Sequence, residues 1–266
     1  MIQEQPTPFM PKPQLQFAGK RVWVIGAGQG IGLEIVQQFC ALGADVVGFD
    51  RHFVDDVNSQ EYAFKKIRLD ITEKNNIASV LHSLLKEDSR LDVVVNAAGI
   101  LRLGALDEIT IDDWQSCFDV NVSGVFYLLR ELIPHFKQQR SGCIVNVASN
   151  AAHVPRINMA AYCASKAALV SLSHCTALEL AEFGVRCNLV SPGSTDTPML
   201  RNMLVTEAGF KRTIAGLPEQ FKLGIPLKKI ATVKEIANTV IFLASDLASH
   251  ITMQDIVVDG GATLAA

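Results

Sequence analysis

A tyrosine and a lysine four positions apart, Tyr162 and Lys166, could do chemistry directly. The stretch from Ala160 to Glu182 is rich in Ala and Leu and contains neither Gly nor Pro, which predicts one long helix. Residues four apart lie on the same face of a helix. An ammonium group beside a phenol favours the phenolate, so Lys166 is expected to lower the pKa of Tyr162. A phenol tuned in this way could take a proton from an alcohol or return one to a ketone.

The pair alone leaves a second interpretation open, because Tyr and Lys four apart also occur on solvated helix surfaces. A glycine-rich turn supplies more specific information, since it follows a predicted strand and begins a predicted helix. Glycines there permit a tight turn and let the backbone approach a pyrophosphate at the positive helix N-terminus. The spacing is not Gly-x-Gly-x-x-Gly, because Ile31 occupies the place of the last glycine. The turn is predicted to bind a dinucleotide through Gly26, Gly28, Gln29, Gly30, Ile31 and Gly32.

An acidic residue, Asp50, ends the second predicted strand, 18 positions after Gly32. A carboxylate at about that separation, roughly 20 residues on, accepts hydrogen bonds from the adenosine ribose 2′-hydroxyl and repels a 2′-phosphate. Asp50 therefore favours NAD over NADP as the cofactor. Arg51 follows directly and could pair with a phosphate instead, and a turn residue at a strand end is the alternative role for Asp50.

Short β-rich runs alternate with helical patterns from residue 20 onward. The predicted strands are Arg21–Ile25, Asp45–Phe49, Lys65–Leu69, Leu91–Val95, Cys143–Ala148, Val185–Val190 and Asp255–Val258. Continuous Val and Ile runs indicate strands that are buried on both faces, as in a parallel sheet. The sequence therefore predicts an α/β fold, a Rossmann-type doubly wound sheet of seven parallel strands with helices on both faces.

No repeat or Pro/Gly-rich linker divides the chain, so residues 17–266 are predicted to form one domain. Residues 1–16 contain four prolines and are interpreted as a flexible leader. The 266 residues carry a net charge of −3 without a long basic run, which argues against a nucleic-acid surface. No apolar stretch reaches the roughly 20 residues of a membrane span.

The spacing of the cysteines and histidines indicates neither a paired-cysteine motif nor a metal site. The six cysteines show no Cys-x-x-Cys pairing, which is typical of small core residues in a reducing cytoplasm. The six histidines show no metal-binding spacing, so no metal is expected.

Five motifs in register resemble the short-chain dehydrogenase/reductase family from residue 19 to the C-terminus. They are the glycine turn, Asp70 after the third strand, Asn96-Ala-Ala-Gly99, the series Asn121, Ser149, Tyr162 and Lys166, and Pro192-Gly-Ser-Thr-Asp-Thr197. One departure is Ile25, where many members have a threonine that bonds to the Asn96–Gly99 segment. The resemblance implies that cofactor is also bound by Asp70 and Ile71, by Asn96, Ala97, Ala98 and Gly99, by Tyr162 and Lys166, and by Pro192, Gly193, Thr195 and Thr197.

The resemblance also implies a role for each residue of the catalytic series. Tyr162 would take a proton from the substrate hydroxyl while a hydride passes to the nicotinamide. Lys166 would lower the pKa of Tyr162 and bind the nicotinamide ribose, and Ser149 would hydrogen-bond the reacting oxygen. Asn121 would interrupt the bonding of a long helix, predicted from about Ile111 to Gln138, and anchor a water that relays protons to Lys166. Members of the family pair these helices across two-fold axes, which implies a homotetramer.

Longer phrases resemble family members that oxidise a dihydrodiol carboxylate to a catechol with NAD, and they are Asn96–Arg102, Ser191–Thr197, Glu219–Pro226 and Ala248–Thr252. A carboxylate suits an arginine fork, and Arg102 and Arg156 both leave the sheet at its carboxyl edge. Arg156 is preferred because the loop from Ser149 to Tyr162 must border the reacting carbon.

The segment 199–222 is predicted to form a lid, where Gln220 or Lys222 could meet the substrate. In the loop before Tyr162, His153 is expected to make a structural hydrogen bond. The resemblance further suggests a weak contact with a ligase that adenylates the catechol acid. Two alternatives remain open: a family member acting on another alcohol or ketone, of oxoacyl or sugar-alcohol type, and a non-catalytic NAD-sensing scaffold.

Overall fold

A computed structural model describes residues 15–53 and 63–264 of the protein. The predicted flexible leader, residues 1–16, lies outside the described residues except for its last two. Seven parallel strands form the central sheet, namely Arg21–Ile25 (β1), Asp45–Asp50 (β2), Lys65–Arg68 (β3), Val93–Asn96 (β4), Gly142–Val147 (β5), Val185–Pro192 (β6) and Asp255–Val258 (β9). The predicted strands are all present, with ends shifted by up to two residues.

The strand order is β3-β2-β1-β4-β5-β6-β9, and every neighbouring pair is parallel. This order confirms the predicted doubly wound sheet. The direction of winding reverses between β1 and β4, where Ile25 is paired with Asn96. A crevice forms outside the carboxyl ends of the strands at such a switch point, and ligands bind there in this fold class.

Helices cover both faces of the sheet, as predicted. They are Gly30–Ala41 (α1), Lys74–Glu87 (α2), Ile111–Phe118 (α3), Gly124–Gln139 (α4), Ala160–Ala181 (α5), Pro198–Leu204 (α6), Glu207–Ala215 (α7) and Val233–Ala244 (α8). Side chains alternate between the faces of each strand, so Trp23 joins the core formed with α2, α4 and α5. Val24 joins the core on the other face, formed with α1 and α8.

Two local features interrupt the regular alternation of strands and helices, and both border the crevice. The long helix predicted over 111–138 is divided by a π-helical turn, Asp119–Ser123, between α3 and α4. A short antiparallel hairpin of Gly216–Leu217 (β7) and Lys222–Leu223 (β8) lies at the end of the segment 199–222 that was predicted to form a lid. Gly216 adopts a φ of +108°, which favours glycine and ends α7 before the hairpin.

None of the described helices is both long and apolar enough to cross a membrane.

Candidate active site

A cavity of about 510 Å³ opens at the carboxyl edge of the sheet, at the switch point between β1 and β4. Its walls come from the glycine turn, the ends of the central strands, the first residues of α5, helix α6 and the β7–β8 hairpin. Most of the residues that the sequence singled out are therefore brought together in one place.

The predicted catalytic pair lies on one wall of this cavity. Helix α5 begins at Ala160, so Tyr162 stands in its first turn and Lys166 one turn later on the same face. The Nζ atom of Lys166 lies 5.9 Å from the centre of the Tyr162 ring. Ser149, just beyond the end of β5, is buried and shares a side-chain hydrogen bond with Tyr162. The three side chains therefore converge from two elements, as the motif predicts.

Burial sets the protonation of this pair. It raises the pKa of the Tyr162 hydroxyl to about 12, although the hydrogen bond with Ser149 acts in the opposite direction. It lowers the pKa of Lys166 to about 8, since the side chain is only 3% exposed. The Nζ atom of Lys166 donates to the backbone oxygen of Val147 at 2.9 Å. The prediction that Lys166 lowers the pKa of Tyr162 is therefore wrong for the chain alone, because desolvation favours the neutral form of both groups.

The π-helical turn places Asn121 directly behind this pair. Its Oδ1 accepts from the backbone N–H of Ile100 at 2.9 Å, and its Nδ2 donates to Ser165 Oγ at 2.9 Å. The interruption of helical bonding predicted for this position is confirmed. A Cβ atom at Gly99 would lie 3.3 Å from Asn121 Oδ1 and 3.3 Å from Lys166 Nζ. The backbone of Gly99 therefore packs against both side chains.

The start of α1 has the features of a pyrophosphate site. The side chain of Gln29 at the N-cap makes no capping hydrogen bond, whereas threonine side chains cap α3, α6, α7 and α8. Gly30 has a φ of +57°, and a Cβ there would approach nothing closer than Thr197, at 3.6 Å. Free N–H groups at a helix N-terminus that faces open space suit an anion. The residues present therefore fit a dinucleotide.

The carboxylate of Asp50 lines the same cavity. Its Oδ2 accepts from the backbone N–H of Gly28 at 2.9 Å, and its Oδ1 accepts from that of His52 at 3.0 Å. Two ionised oxygens have about four acceptor positions in total, so both can also accept from a ribose. A Cβ at Gly28 would lie 2.8 Å from the Asp50 carboxyl group, so glycine is required there.

The other end of the cavity holds side chains that suit an acidic substrate. Arg156, Gln220 and Lys222 line it together with Ser149 and Tyr162. The structure excludes Arg102 from this group, since it does not line the cavity and its Nε lies 2.9 Å from Asp113 Oδ1 in an ion pair. The Nε2 atom of His153 lies 2.9 Å from Asp255 Oδ2, so its predicted structural hydrogen bond is confirmed.

Comparison with known proteins identifies the family. Residues 26–263 match the family model described as "Enoyl-(Acyl carrier protein) reductase". The chain is 55% identical over 252 residues to the 2,3-dihydro-2,3-dihydroxybenzoate dehydrogenase of Escherichia coli (strain K12), covering 95% of this chain and 100% of that protein. It is 40% identical to the protein of the same name from Bacillus subtilis (strain 168), covering 92% and 97%. The chain belongs to the short-chain dehydrogenase/reductase family.

A solved structure agrees with this assignment. The ligand-free aldohexose dehydrogenase of Thermoplasma acidophilum superposes on this short-chain dehydrogenase/reductase with a TM-score of 0.83. The two chains are 31% identical, and the match covers 95% of this chain and 96% of that one. The similarity therefore extends over nearly the whole domain.

Three residues predicted to bind cofactor or act in catalysis do not line the cavity of this dehydrogenase/reductase: Gly28, Asn96 and Asn121. Gly28 instead positions Asp50, and Asn121 lies behind Lys166. Asn96 ends β4, where its buried side chain has no hydrogen-bond partner among the described residues. The other predicted cofactor residues do line it: Gly26, Gln29, Gly30, Ile31, Gly32, Asp50, Arg51, Asp70, Ile71, Ala97, Ala98, Gly99, Tyr162, Lys166, Pro192, Gly193, Thr195 and Thr197.

Two groups that the structure places at the site, the backbone oxygen of Val147 and the side chain of Lys222, were missed or only weakly indicated by the sequence. The backbone oxygen of Val147, which holds Lys166, carries no sequence signal because any residue supplies a carbonyl. Lys222 lines the cavity because the β7–β8 hairpin turns it inward, and the sequence offered it only as one of two candidates in the lid segment. The described residues hold no group of three or more His, Cys, Asp or Glu side chains that could bind a metal ion.

The cofactor preference can be tested at Asp50. In the Asp50→Asn variant one amide oxygen can still accept from Gly28, but the charge that repels a 2′-phosphate is lost. We expect the ratio of kcat/KM for NAD to that for NADP to fall by about 10-fold or more, the usual effect of a charged hydrogen-bonding group. The measurement is initial rates with both cofactors.

Asp70→Asn is the matched control for this experiment. Asp70 also lines the cavity, and its Oδ1 accepts from the backbone N–H of Thr72 at 2.9 Å. The resemblance to the family implies that Asp70 contacts adenine, which is common to NAD and NADP, so an effect at Asp70 should leave their ratio unchanged. An unchanged ratio in Asp50→Asn would remove Asp50 from ribose recognition.

Proposed function

We propose that this protein oxidises 2,3-dihydro-2,3-dihydroxybenzoate to 2,3-dihydroxybenzoate with NAD as the hydride acceptor. Its similarity to the Escherichia coli and Bacillus subtilis dehydrogenases supports this substrate. The observation that best supports this reaction is the hydrogen bond between the side chains of Tyr162 and Ser149. The pair lies where the two halves of the cavity meet. One half suits a dinucleotide, and the other holds two cations, Arg156 and Lys222, that have no carboxylate partner in the described part of the chain.

NAD, held by cavity residues such as Gly30, Asp50 and Lys166, would supply the acceptor for a hydride from the carbinol carbon. Tyr162 takes the proton from the substrate hydroxyl while its own proton moves toward Lys166, which is a neutral amine above about pH 8. Ser149 donates to the reacting oxygen and so stabilises the charge that develops there. Asn121 anchors a water behind Lys166 that carries the proton onward. The residue series Asn121, Ser149, Tyr162 and Lys166 thus forms the catalytic group.

Removal of a hydride and a proton from one carbinol gives a ring ketone beside an enolisable carbon. Tautomerisation of this ketone to the aromatic catechol makes the overall reaction strongly favourable, so oxidation is the natural direction. The product is the aromatic acid of catecholate siderophores, and the protein belongs in the cytoplasm with the other enzymes that handle it. A weak contact with the ligase that adenylates this acid is part of the proposal.

The decisive experiment is an absorbance assay for NADH formation from 2,3-dihydro-2,3-dihydroxybenzoate and NAD, compared with reduction of oxoacyl substrates by NADPH. A higher kcat/KM with the dihydrodiol acid supports the proposal. Faster turnover of oxoacyl substrates would favour the second candidate, a short-chain dehydrogenase/reductase of oxoacyl type. Binding of NAD without any turnover would indicate a sensing scaffold, although both Tyr162 and Lys166 are present.

The proposal includes a homotetramer. Apolar side chains stand exposed along the helices that carry Asn121 and Tyr162: Ile111 is 84% exposed and Leu178 67%, and Trp114 and Phe126 are also exposed. Apolar groups that are exposed in one chain are commonly covered at subunit contacts. We expect light scattering at micromolar concentration to give four times the mass of one chain. A monomeric mass would contradict this expectation.

A further inference from the structure

Two cationic side chains line the substrate end of the cavity from different elements. Arg156 belongs to the loop between β5 and α5, and Lys222 begins β8 of the hairpin. Both are partly buried. Burial lowers the pKa of Lys222, and the charge of Arg156 lowers it further. The two cations therefore lie close enough to repel each other, which is unfavourable unless an anion lies between them.

Neither cation is paired with a carboxylate among the described residues, in contrast to its neighbours. Four nearby cations form ion pairs: Arg201 with Asp196, Lys211 with Glu207, Arg212 with Glu219 and Lys229 with Glu235. The carboxylate of Asp259, which influences the pKa of Arg156, is occupied. It accepts from Asn150, Gly261, Ala262 and Thr263. Arg156 and Lys222, which both line the substrate end of the cavity, therefore have no carboxylate partner among the described residues.

The hairpin turns the charged side chain of Lys222 into the cavity and leaves its apolar neighbours exposed to solvent. Phe221 on one side of it is 91% exposed and Leu223 on the other is 56% exposed, whereas Lys222 faces the cavity. Phe221 has a φ of 53°, the left-handed conformation that a bulky residue rarely adopts. Apolar side chains facing solvent while a lysine faces inward break the ordinary burial rule, and such violations concentrate at functional sites.

We propose that Lys222 and Arg156 jointly bind the carboxylate of the substrate, and that Lys222 makes this carboxylate a requirement for binding. The inference rests on the proposed function for the identity of the substrate. An arginine fork can hold both oxygens, while the lysine acts as a point charge from the opposite element. A ring without a carboxylate would leave the two cations facing each other.

The test compares the binding of 2,3-dihydroxybenzoate and catechol, which differ only in the carboxylate. Fluorescence titration in the presence of NAD measures Kd for both ligands with the wild type, Lys222→Met and Lys222→Arg. We expect Lys222→Met to weaken the binding of 2,3-dihydroxybenzoate about 10- to 100-fold, the range for a charged hydrogen bond. The affinity of the Lys222→Met variant for catechol should remain within about 2-fold of the wild-type value. The Lys222→Arg variant should regain most of the affinity for 2,3-dihydroxybenzoate. Lys211→Met, on exposed α7, is the matched control and should change neither affinity.

Kinetics on the dihydrodiol acid give a second readout. Lys222→Met should raise KM for this substrate by a similar factor while kcat and the KM for NAD stay near the wild-type values. A wild-type protein that prefers 2,3-dihydroxybenzoate to catechol, with the same preference in Lys222→Met, would overturn the role of Lys222. Absence of turnover by the wild type would instead overturn the proposed function, and the ligand titration would still decide whether the cation pair binds a carboxylate.

Discussion

Replacement of Tyr162 by phenylalanine is expected to lower kcat for oxidation of the dihydrodiol acid by about 10²- to 10⁴-fold, the usual contribution of a positioned acid–base group. The substitution removes one hydroxyl, which shares a hydrogen bond with Ser149 in the cavity. The ring remains and still fills its place in the first turn of α5. NADH binding, measured by fluorescence, should therefore stay close to that of the wild type.

Tyr127→Phe provides the matched control, because Tyr127 lies in α4 and does not line the cavity. Its kcat should be unchanged. A Tyr162→Phe protein that retains turnover would require another proton acceptor and would overturn the assignment of Tyr162. A protein that loses NADH binding as well would show a change in the site larger than the loss of one hydroxyl.

Replacement of Lys166 by methionine is expected to remove activity and to stabilise the protein at pH 7. The activity falls because the variant has no amine to accept the Tyr162 proton or to bind the ribose, and we expect kcat to fall about 10²-fold or more. The stability rises because the pKa of Lys166 is lowered from 10.5 to about 8 on folding. Folding therefore disfavours the charged form by about 3 kcal/mol at pH 7, an effect that methionine does not have. The lost hydrogen bond to Val147 offsets about 1 kcal/mol of this gain.

The pH dependence of this stability gain has a definite sign. Below pH 8 both the folded and the unfolded wild type carry the proton on Lys166, so the full penalty is present. Between about pH 8 and pH 10.5 the unfolded chain binds more protons than the folded one, and the wild type gains stability as pH rises. The difference in melting temperature should be a few degrees at pH 7 and should shrink toward pH 10.

Lys86→Met is a suitable control, since Lys86 is exposed in the last turn of α2. It should leave both activity and melting temperature near the wild type at every pH. A Lys166→Met protein that is less stable than the wild type at pH 7 would show that the ammonium group is better solvated than its burial implies.

The strands of the sheet could be predicted from the sequence because a short run of consecutive residues marks each of them. The run Val22–Ile25 is apolar at every position, and the bounds of strand β1, Arg21–Ile25, agree with the prediction. The residue series from Asn121 to Lys166 could be placed because its order and spacing resemble the catalytic series of the family. Even the interruption of the helix at Asn121 was predicted, through the resemblance to the family.

Long-range contacts account for what could not be predicted. The sequence favoured Arg156 over Arg102 only through its loop, and the ion pair of Arg102 with Asp113 at the start of α3 could not be predicted. The pKa of Tyr162 depends on burial within the whole cavity rather than on the lysine one turn away. The inward direction of Lys222 depends on a hairpin of two residues per strand, which is too short for a periodic pattern to reveal.

The packing at Gly99 has a consequence for redesign of the enzyme. A single methyl group at this position would enter the space between the amide of Asn121 and the amine of Lys166. The strand-end loop Asn96–Gly99 therefore touches both side chains through a residue that has no side chain of its own. Grafting a loop with a larger residue at position 99 would displace Asn121 or Lys166, whereas changes at Asp50 leave that contact intact.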